Sequence, residues 1–158
     1  MGDASPGGER PVADPQAEVV EAVLAANRLF VAVATSALAG LAPDVTLPQF
    51  RTLVLLDQHG SMTVTALAEA LGVVRSTATR MCDRLVAKGL IHRALDRRNR
   101  RRVTIRLARP GRELIAESTA RRRVELARIL DVLPPTDQGR VAEALRLLVT
   151  AAESRAAS

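Results

Sequence analysis

Residues 63–107 pass through four patterns in close succession, and few folds accommodate all four. The stretch "TVTALAEALG" sets Leu67, Ala68 and Leu71 at helical spacing, with Thr63 or Thr65 available as a cap and Gly72 as a stop. "RSTATRMCDRLVAKG" follows. Its Ala78, Met81, Cys82, Leu85 and Val86 recur at i, i+3, i+4, i+7 and i+8, a stripe that predicts one buried helix face, and Gly89 closes the segment. The period then changes from helix to strand at about residues 91–95 and 103–107. In the second of these Val103, Ile105 and Leu107 are apolar while Thr104 and Arg106 are polar, so a hairpin with one buried side is expected. A short helix, a glycine turn, a helix with a polar outer face and a hairpin together predict a winged helix-turn-helix.

The hairpin tip is the most charged part of the chain. Six arginines fall within residues 97–106, and like charges crowded this way repel one another unless a polyanion neutralises them. Residues 75–112 hold thirteen basic side chains against Asp83 and Asp96, a local charge of +11. The whole chain is +6, so the remainder carries −5. A general preference for arginine over lysine accounts for the residue type but not for the acidic flanks. With two phenylalanines and no tyrosine or tryptophan, the chain lacks the rings on which single-stranded bases stack.

Around this centre the sequence predicts long helices. Residues 1–13 are Gly, Pro and charge without periodicity, a flexible N-terminal arm. Asp14 and Pro15 open a helix to about Ala39. Its apolar positions, from Val19, Val20, Val23 and Leu24 through Leu29, Phe30, Val33 and Leu38, cover too wide a face for one small neighbour. Either the monomer buries that face or a second subunit covers it. Thr46 to Gln49 have a capping-box outline ahead of a short helix ending near Gly60. Pro110 and Gly111 open a helix to about Asp131, Leu133-Pro-Pro breaks it, and a last helix spans about residues 136–153. The expected fold is mainly α (α+β), with residues 14–45 an N-terminal dimerisation helix, 46–110 the winged DNA-binding domain and 111–158 C-terminal dimerisation helices. The longest apolar run, "LFVAVATSALAGLA", has 14 residues, short of the roughly 20 of a bilayer-spanning helix. With no basic-plus-apolar leader, a soluble cytoplasmic protein with no membrane association is expected. The single cysteine excludes an intrachain disulfide and a Cys-rich zinc site.

Three stretches resemble the MarR family of bacterial transcription regulators. "ALAEALGVVRSTATRMCDRLVAKGLI" is similar to that family's helix-turn-helix. "DRRNRR" is similar to its wing pattern Asp-x-Arg-Asp-x-Arg, with Asn99 in place of the second Asp. "VTIRLARPGREL" is similar to its return strand and following helix start. Val74 stands where the family often has a capping Ser, leaving the cap to Ser76 or absent, and Ala108 replaces a usual capping Thr. The resemblance implies a homodimeric, sequence-specific regulator, a ligand-responsive repressor, that binds double-stranded DNA at a pseudo-palindromic site. It also implies a small lipophilic or phenolic effector between the dimer arm and the DNA-binding lobe. No cofactor is expected.

The buried stripe of the second helix leaves Ser76, Thr77, Thr79 and Arg80 as the groove-facing set, with Arg75 and Arg84 on phosphates. For Arg80 and Arg84 the rival reading is a solvated face with Asp83 as local partner. In the wing, the resemblance implies that Arg101 enters the minor groove, while Arg98, Arg100 and Arg102 lie against phosphates. Arg121 to Arg123, mid-helix, read as a solvated face, and Cys82 as a small core hydrophobe. His59 and His92 have no partner at metal-ligand spacing. No nucleophile–base pair, phosphate-cradling loop or carboxylate dyad supports an enzyme. A different functional class, a winged helix that binds an acidic protein partner without DNA, would make the hydroxyl-lined helix face unnecessary.

Overall fold

A computed structural model describes residues 14–95 and 103–156. Six helices and one hairpin run in the order α1 (Pro15–Ala39), α2 (Leu47–His59), α3 (Val64–Leu71), α4 (Arg75–Ala87), β1 (Ile91–Leu95), β2 (Val103–Leu107), α5 (Arg109–Leu130) and α6 (Pro135–Ala156). The protein is therefore mainly helical, with a winged helix-turn-helix at its centre. The chain divides into two compact units, Met1–Ala32 and Val33–Ser158.

In the first unit the described residues are the opening turns of α1. The Asp14 carboxylate accepts the Gln16 N–H at 3.0 Å, which caps the helix as its sequence predicts. Val19, Val20, Val23, Leu24, Leu29, Phe30 and Val31 are all exposed. The 14-residue limit on apolar length does not hold for the folded chain. α1 is 25 residues long and, by length and composition alone, apolar enough to cross a bilayer. Thr35 and Ser36 do not interrupt it, because a short hydroxyl side chain can bond back to the preceding turn of its own helix.

The second unit holds the core, centred on Leu53, Leu56, Leu67, Leu85, Ile91 and Ile105. Local chemistry sets each element. Thr46 and Gln49 form the expected capping box, Gln49 N–H donating to Thr46 Oγ1 at 3.4 Å and Thr46 N–H to Gln49 Oε1 at 3.1 Å. Thr63, not Thr65, caps α3 through the Ala66 N–H at 3.2 Å. Gly72 then takes φ 67°, ψ 35°, the left-handed turn that glycine enters without steric cost. The buried Thr52 hydroxyl lies 3.0 Å from both the Pro48 carbonyl and Met81 Sδ, so it bonds within α2 and touches α4. Gln138 Nε2 donates to the Leu130 and Leu133 carbonyls at 3.1 and 3.0 Å, which fixes the turn at Leu133-Pro-Pro between α5 and α6.

The hairpin pairs antiparallel with Ile91 opposite Leu107 and Leu95 opposite Val103. Its alternation is less strict than the sequence suggests. Thr104 is buried and Val103 exposed, because the Thr104 hydroxyl donates to the Ala94 carbonyl across the hairpin at 3.2 Å and is satisfied there. A further short lane joins the sheet, unannounced by any sequence pattern. Met62 and Ile105 exchange N–H···O bonds of 3.1 and 2.7 Å. Gly111 marks the tightest approach. A Cβ there would lie 2.2 Å from the Leu90 carbonyl oxygen, which already accepts the Ala108 N–H at 3.0 Å.

A candidate nucleic-acid interface

The burial of Ala78, Cys82 and Leu85 fixes the rotation of α4. Arg75, Ser76, Arg80 and Arg84 consequently face outward, whereas Thr77 and Thr79 are half-buried and less open than their predicted place on the outer face. Arg75, Ser76, Thr79 and Arg80 line one open concavity of about 480 Å³. Thr77 and Arg84 do not line it. The Thr79 hydroxyl donates to the Arg75 carbonyl at 2.9 Å. It therefore presents only acceptor lone pairs and a methyl group to a ligand.

The start of α4 settles the cap. Val74 occupies the N-cap with φ −69° and ψ 148° and makes no side-chain hydrogen bond, so Ser76 does not take over. The N–H groups of the first turn are left without a side-chain partner at the positive end of the helix dipole, a disposition that favours an anion. Ala108, at the start of α5, likewise makes no side-chain cap.

Charge pairing departs from the rival reading of this face. Asp83, the sole acid in α4, pairs with Arg93 of β1 and not with Arg80 or Arg84. Among the described residues neither of those two arginines has an acidic partner. The Asp83–Arg93 pair ties α4 to β1, the first strand of the hairpin. At the other end of α4, Lys88 pairs with Asp44 in the α1–α2 connection. That hydrogen bond, first among its causes, holds the Asp44 carboxyl below its usual value of 3.8. The pair persists above that value and is lost as pH falls through the lowered one.

Cys82 is 1% exposed. Burial, the largest cause, pushes its thiol pKa up; the Arg93 charge lowers it and the Asp83 charge raises it, each by less, so it stays protonated and packs as a small apolar group. In the triplet on α5, Arg121 pairs with Glu117 at 3.3 Å and Arg122 lies 6.0 Å from the centre of the Phe50 ring. Arg121 and Arg123 are exposed, as a solvated face requires, and Arg122 is half-buried. Arg98, Arg100, Arg101 and Arg102, together with Asn99, lie outside the described residues. The strands that lead to them end in two exposed apolar partners, Leu95 and Val103.

With that geometry in place, comparison with known proteins is decisive. The MarR family model matches residues 45–103. The HTH-type transcriptional repressor MdtR of Bacillus subtilis strain 168 is 34% identical over 110 residues, which cover 70% of this chain and 71% of that protein. The chain belongs to the MarR family. A second B. subtilis member, the uncharacterized HTH-type transcriptional regulator YfiV, is 31% identical over 111 residues, covering 70% of this chain and 69% of its own. The crystal structure of RV1404 from Mycobacterium tuberculosis superposes with a TM-score of 0.80 at 35% identity, over 90% of this chain and 98% of that one. As a MarR-family protein the chain is a DNA-binding transcription regulator and not an enzyme.

Proposed function

We propose that this MarR-family protein is a homodimeric repressor that reads a two-fold symmetric duplex site and releases it on binding a small effector. One observation carries the DNA half of this reading. Arg75, Ser76, Thr79 and Arg80 form a single open surface on α4, while the only acid of that helix is drawn off to β1. Arg80 and Ser76 supply base-edge donors, Thr79 an acceptor and a methyl group, and Arg75 and Arg84 phosphate contacts. Thr77 flanks them. The wing arginines Arg98, Arg100 and Arg102 track the backbone, with Arg101 in the adjacent minor groove.

The apolar residues exposed on α1 and, separately, on α6 support the dimer, since apolar faces left open on long helices of a regulator of this family fit a second subunit. Cytoplasmic residence follows from that reading, with α1 covered by protein and not by lipid. For the effector, a cleft of about 410 Å³ lies between Val33, Ser36 and Ala37 of α1 and Ala120, Arg121 and Val124 of α5. That volume is within the range of small-ligand sites, and its mixed lining suits a small lipophilic or phenolic molecule. No resident cofactor is part of this reading.

Selection of bound sequences from random duplexes at physiological salt tests it. A two-fold symmetric motif with half-sites about one helical turn apart is expected. Binding that ignores base sequence would instead favour a winged helix that docks an acidic protein.

A further inference from the structure

A second cleft, of about 390 Å³, opens between the end of α2, the end of β2 and the first turn of α5, and shares no lining residue with the α4 concavity. The Met62–Ile105 bridge sets its walls. In an antiparallel pair one bridge fixes the next position, so Ser61 falls opposite Arg106. Arg112 is held at the same cleft by an Nη1 hydrogen bond of 3.0 Å to the Leu107 carbonyl. The Nε of Arg106 is buried and has no hydrogen-bond partner among the described residues. A buried donor left unmade on a cation is costly, so the Arg106 side chain gains by turning that N–H toward an acceptor held in the cleft. The one carboxylate at the cleft, Asp57, forms no ion pair with either guanidinium among the described residues. Two arginines against one aspartate leave the cleft cationic.

We propose that this cleft binds a small oxyanion, a phosphate or a carboxylate on a small body, through the guanidinium groups of Arg106 and Arg112 and the Ser61 hydroxyl. Guanidinium groups match the fork geometry of such anions. A bound anion would link β2, the strand that returns from the wing, to the opening turn of α5. The same chemistry is available from a free anion or from a backbone phosphate of DNA.

Inorganic phosphate is titrated into the full chain at ionic strength held constant with sodium chloride, following the arginine Nε–H signals by NMR and the unfolding midpoint. The Arg106 and Arg112 signals are expected to shift and saturate, and the midpoint to rise with phosphate. Arg106→Gln and Arg112→Gln should each weaken phosphate about tenfold, and Asp57→Asn should tighten it. No phosphate effect, an unmoved Arg106 signal, or affinity that survives both arginine substitutions overturns the site. This arm needs no DNA, so its failure is separate from that of the DNA reading. A second arm identifies the source. A free-anion site binds phosphate equally with duplex present, and Arg106→Gln leaves the salt dependence of DNA binding unchanged. A backbone-phosphate site makes phosphate compete with duplex, and Arg106→Gln lowers the salt slope by about one.

Discussion

α4 and α6 are both amphipathic, yet they leave opposite kinds of surface unfinished. α4 has 13 residues, buries Ala78, Cys82 and Leu85 in the core, and turns arginines and the Ser76 hydroxyl outward. α6 has 22 residues, fully buries none of those described, and exposes Val141, Leu145, Leu147, Leu148 and Val149. Val141, Leu145, Leu148 and Val149 repeat at i, i+4, i+7 and i+8, the spacing of a helix that has a partner. A cationic, hydrogen-bonding face is completed by a polyanion, and an apolar stripe by another apolar surface. On the proposed function the two helices meet two different partners, a duplex for α4 and a second copy of the chain for α6.

Substitutions that act on one helix and spare the other can break or sharpen this contrast. The largest effect is expected from Leu145→Glu with Leu148→Glu. On the proposed dimer each buries a charge at the interface at a cost of about 2 kcal/mol or more, so sedimentation should show monomer while circular dichroism stays helical. A stable dimer would remove α6 from the interface. Arg101→Ala should weaken binding to A·T-flanked duplexes by about 1–3 kcal/mol without changing the oligomeric state, measured by fluorescence anisotropy. Gly111→Ala should destabilise the winged lobe by about 1–3 kcal/mol, because the added methyl meets the Leu90 carbonyl; denaturant unfolding reads this. Val74→Ser should have the smallest effect, a gain of about 0.5–1 kcal/mol from the restored cap, seen as a higher unfolding midpoint.

Much of the contrast was legible in the sequence because it is local. The α4 stripe, the Thr46–Gln49 capping box and the hairpin segments are periodic or short-range features, and the structure places them where the spacing predicts. What escaped was set by partners distant along the chain. Met62 pairs with Ile105, Asp83 with Arg93 and Lys88 with Asp44, and no local periodicity records such pairs. Thr104 looked like the solvent side of a strand because its hydroxyl's partner, the Ala94 carbonyl, belongs to the opposite strand. The half-buried state of Thr79 has the same origin in packing, although its bond to the Arg75 carbonyl is a known habit of threonine in helices. The Arg106 cleft required all three elements to be in place before its two arginines could be seen together.

The claim on which the rest depends is that the outer face of α4 reads bases. Affinities of wild type and Arg80→Ala, measured on a selected duplex and on each of its single-base variants at fixed salt, test it most directly. The account predicts a loss of about 1–3 kcal/mol on the selected duplex, with discrimination lost at one base pair per half-site and kept elsewhere. An equal loss on every duplex would contradict it and make Arg80 a phosphate contact.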